Sequence, residues 1–313
     1  MKPKERERGV WLRTELVRFH DNTMPLPGII PDGRLDVLVD QLVDSLRRIE
    51  FIHHIRDHDH DVRRMDPASD FFDPLKAAVL HGRQRHADEA FWLVFLATHF
   101  GKHAIDGWRL CRDIYGKLGD ESYWTWDQII DDPAAFGIWL RKNIDHIRND
   151  GVSRRFSNHR KYESLIAPKG AGTPEVIESF VDWVMEFGSN QNLIVEAHKA
   201  VGQHPGETFD RLYREMNRVR RFGRLAKFDY LTMLGKLGLA PIEPQLAYLG
   251  EATGPLRGAR LLFDNDPDSA TGASELEDRI RSLNVRIDVG MQAWEDSLCN
   301  WQKSPTLYRY FRG

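Results

Sequence analysis

The stretch RLYREMNRVRRFGRLAKFD, Arg211 to Asp229, carries two helical patterns at once. Leu212, Met216, Val219, Gly223 and Ala226, continued by Tyr230 and Met233, recur at helical spacing and predict a buried face. Arg211, Arg214, Arg218 and Arg221 recur at the same spacing on another face. From Arg211 to Lys227 the run holds six Arg and one Lys against one acid, Glu215. That is a local charge of +6 in a chain whose net charge is −3. An unbroken helix would set Asp229 about three turns beyond Arg218 and on its side. A basic stripe that ends in one carboxylate suits an enzyme acting on a polyanion: phosphates dock on the stripe and the acid works at its end. The plainer reading is a solvated helix whose arginines pair with acids from elsewhere. Asp229 has Leu225, Ala226, Thr232 and Met233 at the usual pairing distances along its helix, and none is basic.

Helical grammar extends outward in both directions, and the chain reads as all-α. PDGRLDVLVDQLVDSLRRIEF puts Leu35, Leu38, Leu42, Val43 and Leu46 on one face. DEAFWLVFLATHFG predicts an apolar helix from about Ala87 to Phe100, stopped by Gly101. DDPAAFGIWLRKNIDHIRNDG offers Asp132 as N-cap, Pro133 in the first turn and Gly151 as stop. TPEVIESFVDWVMEFG repeats this with Thr173, Pro174 and Gly188. Ser274 and Glu277 read as a capping box opening a long helix with Ile280, Leu283, Ile287, Met291, Trp294, Leu298 and Trp301 in its core. Looser composition at Gly151–Thr173 and Asn265–Ala273 interrupts the helices. The expected organisation is one helical catalytic domain, with two lobes of about 1–165 and 166–313 and a cleft between them.

At 313 residues, 41% hydrophobic and 29% charged, the chain can bury a large core. Cys111 and Cys299 are its only cysteines, both in apolar helical contexts, so no disulfide framework is expected. No stretch approaches the roughly 18 apolar residues of a membrane span, and the N-terminus lacks a signal-peptide core. The expectation is a soluble, cytoplasmic protein with no membrane partner. No GxxxxGK[ST], HExxH, CxxC or GxSxG occurs, which removes P-loop NTPases, zincins and α/β-hydrolases.

Four clusters compete for a role. FIHHIRDHDHD crowds His53, His54, His58 and His60 among Asp57, Asp59 and Asp61, too bunched to converge on one ion. It reads as a solvated helix end, and neither metal nor cofactor is expected. FSNHRKYESL packs Asn158, His159, Arg160, Lys161, Tyr162 and Glu163 behind Arg154 and Arg155, a polar cluster suited to gripping a phosphate or a base edge. His99 shares a face with Trp92, Phe95 and Leu96 and reads as a core histidine; Lys102 follows the helix stop. GEATGPLRGARLLF offers a Gly-Pro turn opening a helix, an anion site that Arg257 and Arg260 would reinforce.

The phrases AFWLVFLATHFGKH, FSNHRKYESL, RFGRLAKFDYLTMLGKLG and TGPLRGARLLF, from Ala90 to Phe263, resemble the α-glutamyl/putrescinyl thymine pyrophosphorylase family, clade 3. That family resembles the helical DNA glycosylases of the helix-hairpin-helix superfamily. The resemblance implies an enzyme acting on DNA with hypermodified pyrimidines, as in bacteriophages. It allows excision of glucosylated hydroxymethylcytosine as an antiviral defence. In that reading the base is flipped into a pocket and a carboxylate stabilises the positive charge left on the sugar. Asp229 is the expected acid; Asn158, His159, Tyr162 and Glu163 would read the base. Arg154, Arg155, Arg160, Lys161, Arg211, Arg214, Arg218, Arg221, Arg224, Lys227, Arg257 and Arg260 would hold DNA. Relatives in other clades carry their acid nearer the positions of Thr232 and Met233, so Asp264, Asp266 and Asp268 stand as substitutes. Two alternatives share these residues: a hypermodification enzyme that attaches an amino acid or polyamine to an activated pyrimidine, and a non-catalytic DNA-binding module.

Overall fold

Ala90 to Phe100 is buried at every position, because a helix that is apolar all round has no face to give to water. A computed structural model describes residues 3–157, 163–167 and 172–310, and they form fourteen α-helices with no strand among them. By contacts they divide into two compact units: residues 52–243, and residues up to 51 together with 244–312. Residues 163–167, where a lobe boundary was expected, fall inside the 52–243 unit.

The sequential unit begins within α2 (Arg34–Asp57), the N-terminal part of which belongs to the other unit. It continues through α3 (Pro74–Arg83), α4 (Ala87–Phe100), α5 (Arg109–Tyr115), α6 (Trp126–Asp131), α7 (Pro133–Asn149), α8 (Thr173–Met185), α9 (Asn190–Ala200), α10 (Pro205–Glu215) and α11 (Arg224–Lys236). Helix α4 is its axis, packed by α3, α5, α6, α9 and α11. Phe95 stacks on Phe180 of α8 at 3.7 Å and on Phe222 at 5.0 Å, and meets the edge of Tyr230 at 5.8 Å. Gly101 stops α4 with φ +67°, and Asp132 caps α7 by accepting from the Ala135 amide. Thr173 is not the cap of α8. It is the first helical residue, wholly buried, and its hydroxyl lies 3.0 Å from His99 Nε2.

The predicted helix across 211–229 is broken. Helix α10 ends at Glu215, a single 3-10 turn spans Met216–Arg218, and α11 starts only at Arg224. Arg221 turns the chain in the left-handed region, φ +59°. Leu212, Met216, Val219, Ala226 and Tyr230 are buried as the period demanded, whereas Gly223 is exposed and Met233 half-buried.

The other unit holds α1 (Pro3–Asn22), the start of α2, α12 (Thr253–Asp264), α13 (Ala273–Arg286) and α14 (Met291–Trp301). Leu12, Leu16, Leu38, Leu42, Leu262, Leu283 and Trp294 fill its core. The long helix expected after Ser274 is two, separated at Gly290 (φ +82°), although all seven predicted core positions are buried. Ser274 and Glu277 form no capping box: Gly272 is the N-cap, and Glu277 accepts from the Ala247 and Leu249 amides at 3.0 and 2.6 Å. Among the described residues no helix is long and apolar enough to cross a membrane, and neither Cys111 nor Cys299 is in a disulfide.

Candidate functional site

The arginines of the sequence pattern are held by acids. Arg211 meets Glu215 at 2.9 Å and Arg214 meets Asp210 at 2.5 Å, both one turn apart on α10. Arg218 pairs with Glu186, and Arg221 reaches Glu163 at 3.2 Å, which joins the 211–229 stretch to the end of the FSNHRKYESL phrase. Arg155 forks onto Asp106 at 2.8 and 2.9 Å and holds that carboxyl at about 2. Arg154, its side chain only 6% exposed, bonds Asp113 at 2.6 Å and Asp150 at 2.7 and 2.8 Å. The guanidinium holds the Asp150 carboxyl well below its ordinary range.

Lys227 is buried at 2% exposure rather than displayed for phosphate: its ammonium donates to Asn217 at 2.5 Å and sits 4.2 Å over the Tyr213 ring. The Arg224 guanidinium lies 5.3 Å from the Phe228 ring centre. Asn158, His159, Arg160, Lys161 and Tyr162 lie outside the described residues. Asp229 is half-buried on α11, next to the wholly buried Tyr230. In the other unit, Arg257 pairs with Asp268, and Arg260 donates to the Thr271 carbonyl at 3.2 Å. Asp264 meets Arg279 at 3.3 Å, and Asp266 accepts from the Asp268 amide at 2.9 Å. The three substitute acids thus serve the turn after α12. Its glycines serve packing: a Cβ on Gly258 would lie 2.2 Å from the Leu298 carbonyl oxygen of α14.

A different group of residues surrounds a pocket of about 410 Å³ in the 52–243 unit. His81, Arg85 and His86 come from α3 and the turn after it, Asp88 and Glu89 from the first turn of α4, Thr125, Trp126 and Asp127 from the start of α6, and Gln191 from α9. Acids belong in first turns, where the helix dipole favours them. Here they also cap their neighbours. Asp88 accepts from the Asn190 amide at the start of α9 at 2.6 Å, and Glu89 accepts from the Trp126 amide at the start of α6 at 2.6 Å. The second Glu89 oxygen takes the Tyr115 hydroxyl at 2.7 Å.

Burial raises the Glu89 carboxyl to about 7 despite these two donors, because desolvation opposes its charge more than two hydrogen bonds favour it. Burial, and then His86, lowers His81 to about 4, so its imidazole is neutral at pH 7. Burial, and then Asp88, raises the Tyr230 phenol well above its usual range. The lining holds three acids, Asp88, Glu89 and Asp127, against one guanidinium, Arg85, and two histidines, so it favours a cationic guest once Glu89 ionises. A carboxyl that titrates near neutral can accept or return a proton there. The sequence reading missed Glu89: in HADEAFW it looks like an ordinary first-turn acid, and only its burial against α5 and α6 sets it apart.

The family model of alpha-glutamyl/putrescinyl thymine pyrophosphorylase clade 3 matches residues 33–313. The chain belongs to this family. It is a family of DNA base hypermodification, and every residue of the pocket lies inside the matched range. No curated protein and no solved structure matches the chain.

Proposed function

We propose that this member of the family joins an amine to an activated pyrimidine of DNA, with the pocket around Glu89 receiving the amine. The amine nitrogen attacks the exocyclic carbon that carries a pyrophosphate. The C–N bond forms, the C–O bond breaks, and pyrophosphate leaves with the bonding pair. Glu89 takes the proton that the nitrogen sheds. The observation that carries this reading is the Glu89 carboxylate itself, half-buried, doubly held and raised by desolvation to about 7 in a pocket with two further acids. A bound ammonium is inert until it loses a proton, and a base matched to neutral pH removes it without being wholly protonated itself. Asp88 and Asp127 add the negative charge that draws such a cation. The glutamyl and putrescinyl groups in the family's name, each delivered from an amine, point the same way.

Excision of the base, with Asp229 as the acid, is the weaker reading, since the arginines meant to grip the DNA around it are engaged by carboxylates. The deciding experiment incubates the protein with DNA carrying pyrophosphorylated hydroxymethyluracil plus putrescine or glutamate. Nucleoside mass spectrometry then reads the products. An amine adduct with released pyrophosphate, lost in Glu89→Gln, is the expected result. Abasic sites in modified phage DNA would replace it with excision, and no product of either kind would leave a binding module.

A further inference from the structure

We propose that Tyr115 is the positioning residue for Glu89, fixing through one hydroxyl both the orientation of that carboxylate and its readiness to take a proton; the proposal rests on the reading of Glu89 as the base. Three observations carry it. The Tyr115 hydroxyl donates to Glu89 Oε1 at 2.7 Å while the Trp126 amide donates to Oε2 at 2.6 Å, so each oxygen has one protein donor and the carboxylate plane cannot turn without losing one. Tyr115 is 2% exposed and pinned on several sides: its ring lies 5.8 Å from Phe72 and 5.9 Å from Tyr123. Its main chain holds the other approach to the same site, because the Tyr115 carbonyl accepts the Trp124 amide at 2.8 Å.

That last bond closes the α5–α6 loop, whose turn places Lys117 and Leu118 in the left-handed region at φ +48° and +63°. Such a conformation is costly for a bulky side chain and persists only where the surroundings enforce it. The Lys117 ammonium sits 4.1 Å over the Trp124 ring and donates to Ser122 at 2.9 Å. One residue therefore ties the base to the loop that delivers Thr125, Trp126 and Asp127 to the pocket.

The remaining groups around Glu89 are weaker influences on its proton. Asp127 of α6 opposes its charge, and Asp88 adjoins it on α4. His81, Arg85 and His86 line the pocket from the α3 side, and Gln191 of α9 is uncharged. A hydroxyl donated to a carboxylate favours the charged form, so losing the Tyr115 bond must push Glu89 towards the protonated form.

The test follows the Glu89 side-chain carboxyl carbon by NMR through a pH titration, its resonance assigned by its loss in Glu89→Gln. In Tyr115→Phe the midpoint is expected to rise by about one pH unit, the size of one hydrogen bond to a charged group. A fluorinated tyrosine placed at 115 keeps the ring and donates more strongly, so it is expected to lower the midpoint; it also serves if the Phe variant fails to fold. Tyr123→Phe, which removes a hydroxyl bonded to Asp66 rather than Glu89, is expected to leave the midpoint in place. A midpoint indifferent to both changes at 115, or moved equally by Tyr123→Phe, would overturn the assignment. A Tyr115-dependent midpoint in a protein that couples no amine would instead sink the reaction proposed above and leave Tyr115 as the residue that sets Glu89.

Discussion

Glu89 carries opposing demands that a pH series can separate. Its folded carboxyl titrates at about 7 against an ordinary 4.5, so the folded protein holds a proton that the unfolded chain has already released. Stability should then fall as pH climbs from about 4.5 to about 7 and stay level above, a loss on the order of 3 kcal/mol. Glu89→Gln removes the desolvated charge. Thermal melts are expected to show the variant level with the parent near pH 4.5 and more stable at pH 8.5, though inactive. Parallel melting curves across that range would mean Glu89 is not desolvated. Arg154 makes the opposite case, a half-buried cation bonded to two acids. Arg154→Ala leaves Asp113 and Asp150 without their shared cation, each with some water, at a cost of about 2–3 kcal/mol in urea denaturation, somewhat below that of a fully buried pair. Arg154→Lys is expected to recover less than half of it, since one ammonium cannot span both carboxylates as the fork does.

At the scale of elements, close approach decides more than capping does. Helix α12 meets α14 where Gly258 lets the Leu298 carbonyl come near, with a Cβ-to-oxygen distance of only 2.2 Å for any larger residue. Gly258→Ala gains at most about 1 kcal/mol of helix propensity but overpacks against backbone, which costs about 1–3 kcal/mol. The expected net loss of about 1–2 kcal/mol is readable in a denaturant midpoint, and a stabilised variant would show that α12 can slide away. This contact also explains what the sequence could and could not disclose. The Gly-Pro turn of GEATGPLRGARLLF predicted a helix start, but the partner of Gly258 lies forty residues on. Helix α4 was legible to the residue because an apolar block ending in glycine leaves no competing choice. The break between α10 and α11 was not, because Met216 and Val219 keep the helical period through it. Phe222 stacked on Phe95 and the Arg220 amide bonded to Ser179 at 2.9 Å pull the chain out of register, and both partners are remote in sequence. Ser274 with Glu277 matched the capping pattern, yet two amides near residue 248 claim that carboxylate.

Across the whole molecule, 44 Lys and Arg against 47 acids leave little unspent charge, and that bears on how the chain can hold DNA. Read as a free stripe, the seven cations from Arg211 to Lys227 would release about six counterions and give a salt slope near −6. In the structure Arg211, Arg214, Arg218 and Arg221 each face a carboxylate, and Lys227 is buried. Exposed ion pairs are individually weak, so a phosphate can displace a carboxylate at small cost. The exchange, however, replaces one anion by another and leaves the displaced acid to repel the DNA. The net number of phosphates neutralised should therefore be small, and log Kd against log salt is expected to have a slope of magnitude about 3 or less. Fluorescence anisotropy on a modified duplex from about 50 to 200 mM salt reads it directly. A magnitude near 6 would mean that the pairs open on DNA and that the basic stripe, legible in the sequence from the start, is the footprint after all. A shallow slope would instead place the hold on the modified base itself, presented to the amine in the pocket, rather than on the backbone of the duplex.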